Sequence, residues 1–367
     1  MYKTVFILGA GASADAGLPV MANFLDRARD FYSSFVIRNE EDQISFMEVF
    51  KAIHNLKGVL FKSSIDLNNI ESVFSIIDMG LLLGRLGSFR GNELEQLYEN
   101  IQKLIAVTVD LSTRVNNRSI PPQKLKGTYY DFIGFLEKHF IEKERNVPYS
   151  SPSPPTIITF NYDVALDYAL HLNEIPITYC LDPNDIGEGW KLIKLHGSVN
   201  WGYTDDEEDG IYAWSIGKFL SSKGIGQADN SPILIGSLLR KEINEEGKTI
   251  KGPFIVPPSW SKREFHKKIE PVWEAAADAL ADAEAIYVIG YSLPPTDIFF
   301  RYLFSLATFS EASIRHFWVF NPDPDVKERF EELLGPGLKT DNRFKFFETD
   351  FKGAHRILIE ELGKPSK

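Results

Sequence analysis

Near the start of the chain, four consecutive apolar residues, Val5-Phe6-Ile7-Leu8, run straight into Gly9-Ala10-Gly11-Ala12-Ser13-Ala14. A short apolar run with no polar alternation predicts a strand covered on both faces, as inside a parallel sheet. Glycines at 9 and 11 and a small residue at 14 follow the G-x-G-x-x-A pattern of dinucleotide-binding turns. Gly9 allows a tight turn, and Gly11 lets backbone N–H groups approach a pyrophosphate. Ala14 lets a helix beginning near Ser13 pack close to the strand, with its N-terminus facing the anion. Such turns also serve as plain strand–helix connections, so later segments must decide. Asp30 stands at about the 20-residue spacing used to hold a ribose, but in a helical pattern and not at a strand end. That argues against an ordinary dehydrogenase and for a ribose held by later residues.

The chain of 367 residues is long enough for two or three domains and a sizeable core. With 44% hydrophobic and 25% charged residues it reads as a water-soluble globular protein. A net charge of −11 argues against direct, sequence-independent nucleic-acid binding, which needs a basic face, but leaves room for a local pocket for a small anion. Cys180 is the single cysteine, so an internal disulfide and a cysteine-based zinc site are both excluded, and a buried apolar role is expected for it. The histidines at 54, 139, 171, 266, 316 and 355 show no metal-ligand spacing, and no metal is expected. Neither a Walker A loop nor a G-x-S-x-G elbow is present. No signal-peptide pattern precedes the first strand and no apolar run reaches ~18 residues, so a cytoplasmic protein without membrane association is expected.

From residue 13 to about 147 the pattern is mostly helical. Phe24, Leu25, Ala28, Phe31, Tyr32 and Phe35 form one apolar stripe, and further helices are predicted at Ile44–Leu56, Asn69–Leu86, Glu93–Val115 and Tyr129–Glu144. Asn68-Asn69-Ile70-Glu71 supplies a capping start. A Pro/Ser linker at 149–155 closes this stretch. Strands are then predicted at Thr156–Phe160, Ile175–Tyr179, Leu192–Leu195, Ala285–Ile289, Arg315–Phe320 and Phe344–Phe347. Between them lie a loop-rich stretch from 202 to about 262 with an acidic run at Asp205–Asp209, and an Ala-rich helix from about Lys262 to Ala281. A last helix ends the chain. The expected architecture is α/β: a Rossmann-like parallel sheet from residues 1–22 and 155–367, a large helical module inserted at 23–148, and a smaller loop-rich insertion at about 202–262.

Five of the predicted strands end in small or polar residues, at Gly9, Asn161, His196, Gly290 and Asn321. Ligands of open α/β sheets bind beyond the carboxyl ends of strands, so these ends could converge on one nucleotide cleft. Each also has a plainer reading. Asn161 and Asp163 could cap a helix, His196 could be a satisfied core residue, and Gly290–Asp297 could be a Pro-containing turn. Lys262, Arg263, His266, Lys267 and Lys268 fit a solvated helix face, and Asp205–Asp209 a loop surface.

Taken together, these segments resemble the sirtuin superfamily. Gly9-Ala10-Gly11-Ala12-Ser13 and Gly17-Leu18-Pro19 are similar to the sirtuin NAD loop, and Thr159-Phe160-Asn161-Tyr162-Asp163 to its Thr-Gln-Asn-x-Asp motif. His196-Gly197-Ser198 resembles the catalytic His-Gly, Gly290-Tyr291-Ser292-Leu293 the Gly-Thr-Ser-Leu segment, and Asn321 the later Asn near the adenosine. The Asp-Phe-Arg that follows the Gly-Ile/Leu-Pro in deacetylases is replaced here by Val20-Met21-Ala22-Asn23-Phe24, and a four-Cys zinc module cannot be built. Asn69-Ile70-Glu71-Ser72-Val73-Phe74, the Val256-Pro257-Pro258 segment and the helical insertion look instead like bacterial sirtuin-like NADases of antiphage defence. That resemblance implies hydrolysis of NAD⁺ at the nicotinamide–ribose bond, a homo-oligomer, and work alongside a HerA-type ATPase. It implies His196 as base, Asn161 and Asp163 as its catalytic companions, and Gly9, Ala10, Gly11 and Ser13 around the pyrophosphate. Gly290, Ser292 and Asn321 would line the ribose–adenine side, with Trp201 and Tyr291 as stacking walls. A non-catalytic NAD⁺ or ADP-ribose sensor and a deacylase or ADP-ribosyltransferase are the alternatives.

Overall fold

A computed structural model describes residues 3–59, 65–113, 127–142, 154–182, 189–204, 210–221, 233–239, 249–256, 267–295, 297–307, 313–340 and 342–363. The chain divides into two compact units: Met1–Gly17, Ser119–Leu195 and Ile269–Lys367 form one, and Leu18–Arg118 with His196–Lys268 the other.

The first unit is built on a seven-stranded sheet. Its strands, numbered in chain order, are β1 (Thr4–Leu8), β2 (Thr156–Thr159), β3 (Ile177–Thr178), β4 (Trp190–Lys194), β5 (Ala285–Ile289), β6 (His316–Phe320) and β7 (Phe344–Phe347). They lie in the order β7-β6-β5-β1-β2-β4-β3, and every pairing is parallel. Parallel strands need crossovers, most of which run through the helices of this unit. These are α1 (Ala10–Ala14), α2 (Tyr129–Glu137, continued by a π turn at Lys138–Glu142), α3 (Ala165–Leu172), α4 (Glu270–Ala281), α5 (Ile298–Ala307), α6 (Asp325–Leu333), α7 (Pro336–Thr340) and α8 (Phe351–Leu362).

The uninterrupted apolar runs of β1 and β5 are explained by what covers them. Register places Phe6 beside Tyr287 and Tyr287 beside Trp318, making an aromatic row across three strands. Phe6 stacks on Tyr287 at 5.2 Å, and the rings of Phe132 and Phe140, from α2 and its π continuation, meet it edge-on at 5.4 and 6.3 Å. Phe351 of α8 packs on Phe132 at 5.2 Å. One residue along the strand, side chains point to the opposite face. There Phe317 meets Phe304 of α5 and Phe330 of α6 at 5.6 and 6.0 Å. Both faces are therefore dry, as a parallel sheet requires.

Several elements differ from the sequence expectations for identifiable reasons. The first helix begins at Ala10 and lasts five residues, and Ala14 is exposed, so it is the fully buried Ala12 that packs close. The strand expected at Ile175–Tyr179 pairs over Ile177–Thr178 alone; Pro176, with no N–H to give, contributes its carbonyl to Trp190. The Ala-rich helix starts at Glu270, with Pro271 in its first turn.

The second unit holds helices Phe24–Ser33, Glu40–Val59, Ile70–Leu82 and Asn92–Thr113. Asn69 caps the third of these, its Oδ1 accepting the Glu71 and Ser72 N–H groups at 2.8 and 3.4 Å. That helix stops at Leu82 and not Leu86, because Gly84 and Gly87, both at positive φ, turn the chain into a small hairpin of Arg85–Leu86 and Phe89–Arg90. Phe35, expected on the first apolar stripe, lies past its helix at φ 55° and is exposed. Within this unit Gln102 Nε2 donates to Ile255 O at 3.3 Å, and the Gly236 N–H donates to Asp110 Oδ2 at 2.9 Å. These bonds tie the longest helix to the loop-rich stretch. The expected features at 149–153, Asp205–Asp209 and Pro257–His266 lie outside the described residues. Among the described residues no helix is long and apolar enough to cross a membrane.

Phe6 has no exposed surface and three rings around it. Phe6→Ala should cost about 3–5 kcal/mol, read as a lowered urea midpoint.

Candidate active site

The chain passes from β1 to β2, β3 and β4 on one side of the sheet and then crosses back to β5 on the other. The order of strands therefore reverses between β1 and β5, the place where open α/β sheets bind ligands. Here two loops meet backbone to backbone. Gly9 donates its N–H to Ile289 O at 3.0 Å, and Gly11 donates its own to Gly290 O at 2.9 Å. A Cβ on Gly11 would lie 2.8 Å from Gly290 Cα; one on Gly9 would collide with Tyr291, and one on Gly290 with Ala12 N. Gly290 also sits at φ 65°, where side chains are disfavoured. The glycines thus serve the approach of these two loops, and the Gly11 N–H is engaged by Gly290. Ala10 and Gly11 are half-buried and form the accessible edge of the turn.

Tyr291 follows directly. Its ring stacks on Phe160, the residue after β2, at 4.0 Å and 4°, and Phe300 of α5 meets both rings edge-on. The Tyr291 hydroxyl donates to Asp297 Oδ2 at 2.7 Å. Ser292 is half-buried, and its carbonyl accepts from Arg329 Nη1 at 3.0 Å. Asn321 follows β6; its Nδ2 donates to Tyr291 O at 3.5 Å and its Oδ1 accepts the Asp323 N–H at 3.0 Å. Gly290, Tyr291 and Asn321 therefore belong to one cluster.

On the other side of β1, a buried polar network starts at Asn161. Thr159 Oγ1 donates to Leu8 O at 3.0 Å and accepts the Asn161 N–H at 3.1 Å. Asn161 Nδ2 then donates to Gly9 O and to Ser13 Oγ, both at 2.9 Å. A carbonyl such as Gly9 O accepts and cannot donate, so the orientation of this amide is unambiguous. Ser13 Oγ shares a 3.0 Å hydrogen bond with the Tyr129 hydroxyl. Ser13 thus faces inward, toward Asn161.

Asp163 is buried and accepts the N–H of Ala165, the first residue of α3, at 2.9 Å. Lys194, at the end of β4, is 1% exposed; its ammonium donates to Asp163 O at 2.7 Å and to Asp167 Oδ2 at 2.9 Å. Tyr179 completes this group by donating to Asp167 Oδ1 at 2.5 Å. The Asn161–Asp163 turn is therefore held at both ends, by Ser13 and by Lys194. His196 comes two residues after Lys194 and belongs to the second unit, where it is buried and its carbonyl accepts the Val256 N–H at 2.9 Å. Gly197, next to it, sits at φ 80° against Phe254 O. Trp201, in the same unit, is fully buried.

Solved structures similar to this chain include Sir2Tm bound to a propionylated peptide, at 14% identity, 98% coverage of this chain and 93% of that one, and a TM-score of 0.37. A Sir2–p53 peptide–NAD⁺ complex matches at 16% identity, 98% and 93% coverage, and a TM-score of 0.41. A Sir2 homologue–NAD complex matches at 13% identity, 99% and 90% coverage, and a TM-score of 0.42. No family model matches the chain. No curated protein matches it either. Likenesses at this level leave the chemistry to be read from the residues themselves.

Four members of the network escaped the sequence reading: Tyr129, Asp167, Tyr179 and Lys194. Two carried a signal, since Lys194 and Asp167 each interrupt an apolar run, Leu192–Leu195 and Val164–Leu170. A charge in such a run is kept where it finds a partner. Tyr129 carried none, being one aromatic among many on a helix. Burial pushes the Tyr129 hydroxyl far above its usual range, with the Asp163 carboxylate adding to the rise, so it stays protonated. Burial also raises Asp163, against the opposing pull of Lys194, the Ala165 N–H and the Ser13 hydroxyl. Among the described residues no group of three or more His, Cys, Asp or Glu could hold a metal ion. Cys180 is buried.

Gly290→Ala should destabilise the fold by about 1–3 kcal/mol, because positive φ and collision with Ala12 act together; calorimetric melting checks this. The raised Asp163 has a pH consequence. A native pKa above the unfolded one gives stability that is complete below the ordinary aspartate value and lost as pH climbs through the native value. Asp163→Asn, neutral throughout, should therefore gain on the native protein as pH rises above the ordinary aspartate value of about 4. Urea midpoints above that value should diverge, and a constant difference would contradict the assignment.

Proposed function

We propose that this chain hydrolyses NAD⁺ at the nicotinamide–ribose bond, releasing nicotinamide and ADP-ribose. The observation that carries the reading is the state of Asn161. Both hydrogens of its amide are engaged, on Gly9 O and Ser13 Oγ, so what it can offer a substrate is Oδ1, an acceptor. An acceptor held rigidly beyond the carboxyl ends of β1 and β2 suits a ribose hydroxyl or an attacking water. The resemblance of the Gly9, Asn161, His196 and Gly290 segments to sirtuin motifs supplies the substrate class.

Breaking this bond builds positive charge on the sugar, as in glycoside cleavage. Nicotinamide departs as a neutral molecule from a cationic ring and needs little acid help. The protein's work is to orient the ribose and to place water at the anomeric carbon. Asn161 takes the ribose or water, and Asp163 holds the turn that carries it. His196, the residue after Leu195, is assigned the role of base. Ala10 and Gly11 face the pyrophosphate; Ser292 and Asn321 serve the ribose–adenine side. Unchecked loss of NAD⁺ would poison the host, which supports a gated effector of antiphage defence, acting as a homo-oligomer or with a HerA-type ATPase.

The test is incubation with NAD⁺ and chromatography of the products, with no acylated peptide present. Asn161→Ala and His196→Ala should each lower kcat by about 10²-fold or more, while Cys180→Ala should leave it unchanged. Binding of NAD⁺ without turnover would select the sensor reading, and a strict need for an acyl-lysine peptide would select the deacylase.

A further inference from the structure

Tyr129 is the residue at which the returning chain touches the polar network. The chain leaves the sheet-bearing unit after Gly17 and re-enters it at about Ser119. Its first described residues on return are clamped to the end of α1. Gly127 sits at φ 109° with its Cα face against the Asp15 and Ala16 backbone, where a Cβ would approach to 2.9 Å. Thr128 Oγ1 donates to Asp15 Oδ2. The next residue, Tyr129, is 4% exposed, and its hydroxyl bonds Ser13 Oγ at 3.0 Å. Phe351 packs edge-on against its ring at 5.1 Å, which fixes where the hydroxyl points.

Gly9 O fixes one hydrogen of the Asn161 amide, and Ser13 Oγ is the second anchor. A serine hydroxyl can both donate and accept, so its other neighbours decide which it offers Asn161. The Asn161 amide requires Ser13 Oγ as an acceptor, and the Tyr129 hydroxyl is bonded to that same oxygen. We infer that Tyr129 is a positioning residue: through Ser13 it fixes the rotamer of Asn161, and with it the direction in which Oδ1 is presented. This rests on the reading of Asn161 as the group that meets substrate. Tyr129 itself touches no substrate and takes no part in proton transfer.

Tyr129→Phe removes the hydroxyl and keeps the ring on Phe351. The expected result is a kcat for NAD⁺ cleavage lowered about tenfold with KM changed less than about twofold, because geometry is lost and not uniform binding. In a Ser13→Ala background the same substitution should add little, since the route through Ser13 is already cut. A Tyr129→Phe protein with wild-type kcat, or one whose effect is undiminished in Ser13→Ala, would overturn the inference. A second readout does not depend on turnover. In protein labelled with ¹⁵N at asparagine, the Asn161 side-chain amide signal, identified by its loss in Asn161→Ala, should move and exchange faster with water in Tyr129→Phe. An unmoved Asn161 signal would overturn the inference even where NAD⁺ is cleaved. Absence of NAD⁺ cleavage by the native protein, with the amide signal moved as expected, would sink the hydrolase reading and leave the positioning role standing.

Discussion

The contact on which the first unit depends is the meeting of two backbones at the centre of the sheet. β1 and β5 are neighbours in register, so the loops that follow them emerge side by side. With side chains at Gly9, Gly11 or Gly290 these loops could not close, and the Gly11 N–H would not reach the Gly290 carbonyl. Closure has two effects. It seats Tyr291 against Phe160, filling the space beyond β2 and β5 with stacked rings. It also sets Gly9 so that its carbonyl faces Asn161 Nδ2. A pattern usually read as a seat for phosphate is here first a solution to a packing problem.

Beneath that contact, the unit keeps an unusual amount of polarity out of water. Ser13, Asn161, Asp163, Asp167 and Lys194 are all buried. Such groups are costly unless each finds a partner. The bonds they make explain why they persist: one amide reaches two acceptors, and one ammonium reaches a carboxylate and a carbonyl. A buried ion pair is weak evidence for stability, since well-packed apolar groups often do as well. Its visible effect here is geometric, because Lys194 grips the backbone of the Asn161–Asp163 turn and not merely a side chain.

Most of the sheet was legible in the sequence, because buried parallel strands announce themselves as apolar runs. Ala285–Ile289 and Phe344–Phe347 match the expected bounds, and Thr156–Thr159 falls one residue short. The strand expected at Ile175–Tyr179 was overestimated because edge strands are defined by which N–H groups pair, and Pro176 has none. The break after Leu82 was missed because Leu83 and Leu86 carry the apolar pattern on past it, and the turn shows only in the positive φ of Gly84 and Gly87. Polar residues at strand ends could be picked out one by one, but not their partners. Nothing in a sequence says that Gly9 faces Gly290, or that Tyr129 reaches Ser13, since those contacts depend on how distant segments fold together.

The Asn161 amide carries a lesson for reading substitutions. Asparagine and aspartate have the same outline, and a comparison by size and polarity would score their exchange as mild. At this position the nitrogen faces a backbone carbonyl that can do nothing but accept. An aspartate would set one acceptor against another at this buried position, and would have to take up a proton or turn away. Position 161 thus distinguishes a nitrogen from an oxygen in a side chain of unchanged shape, a discrimination that mass and volume do not register.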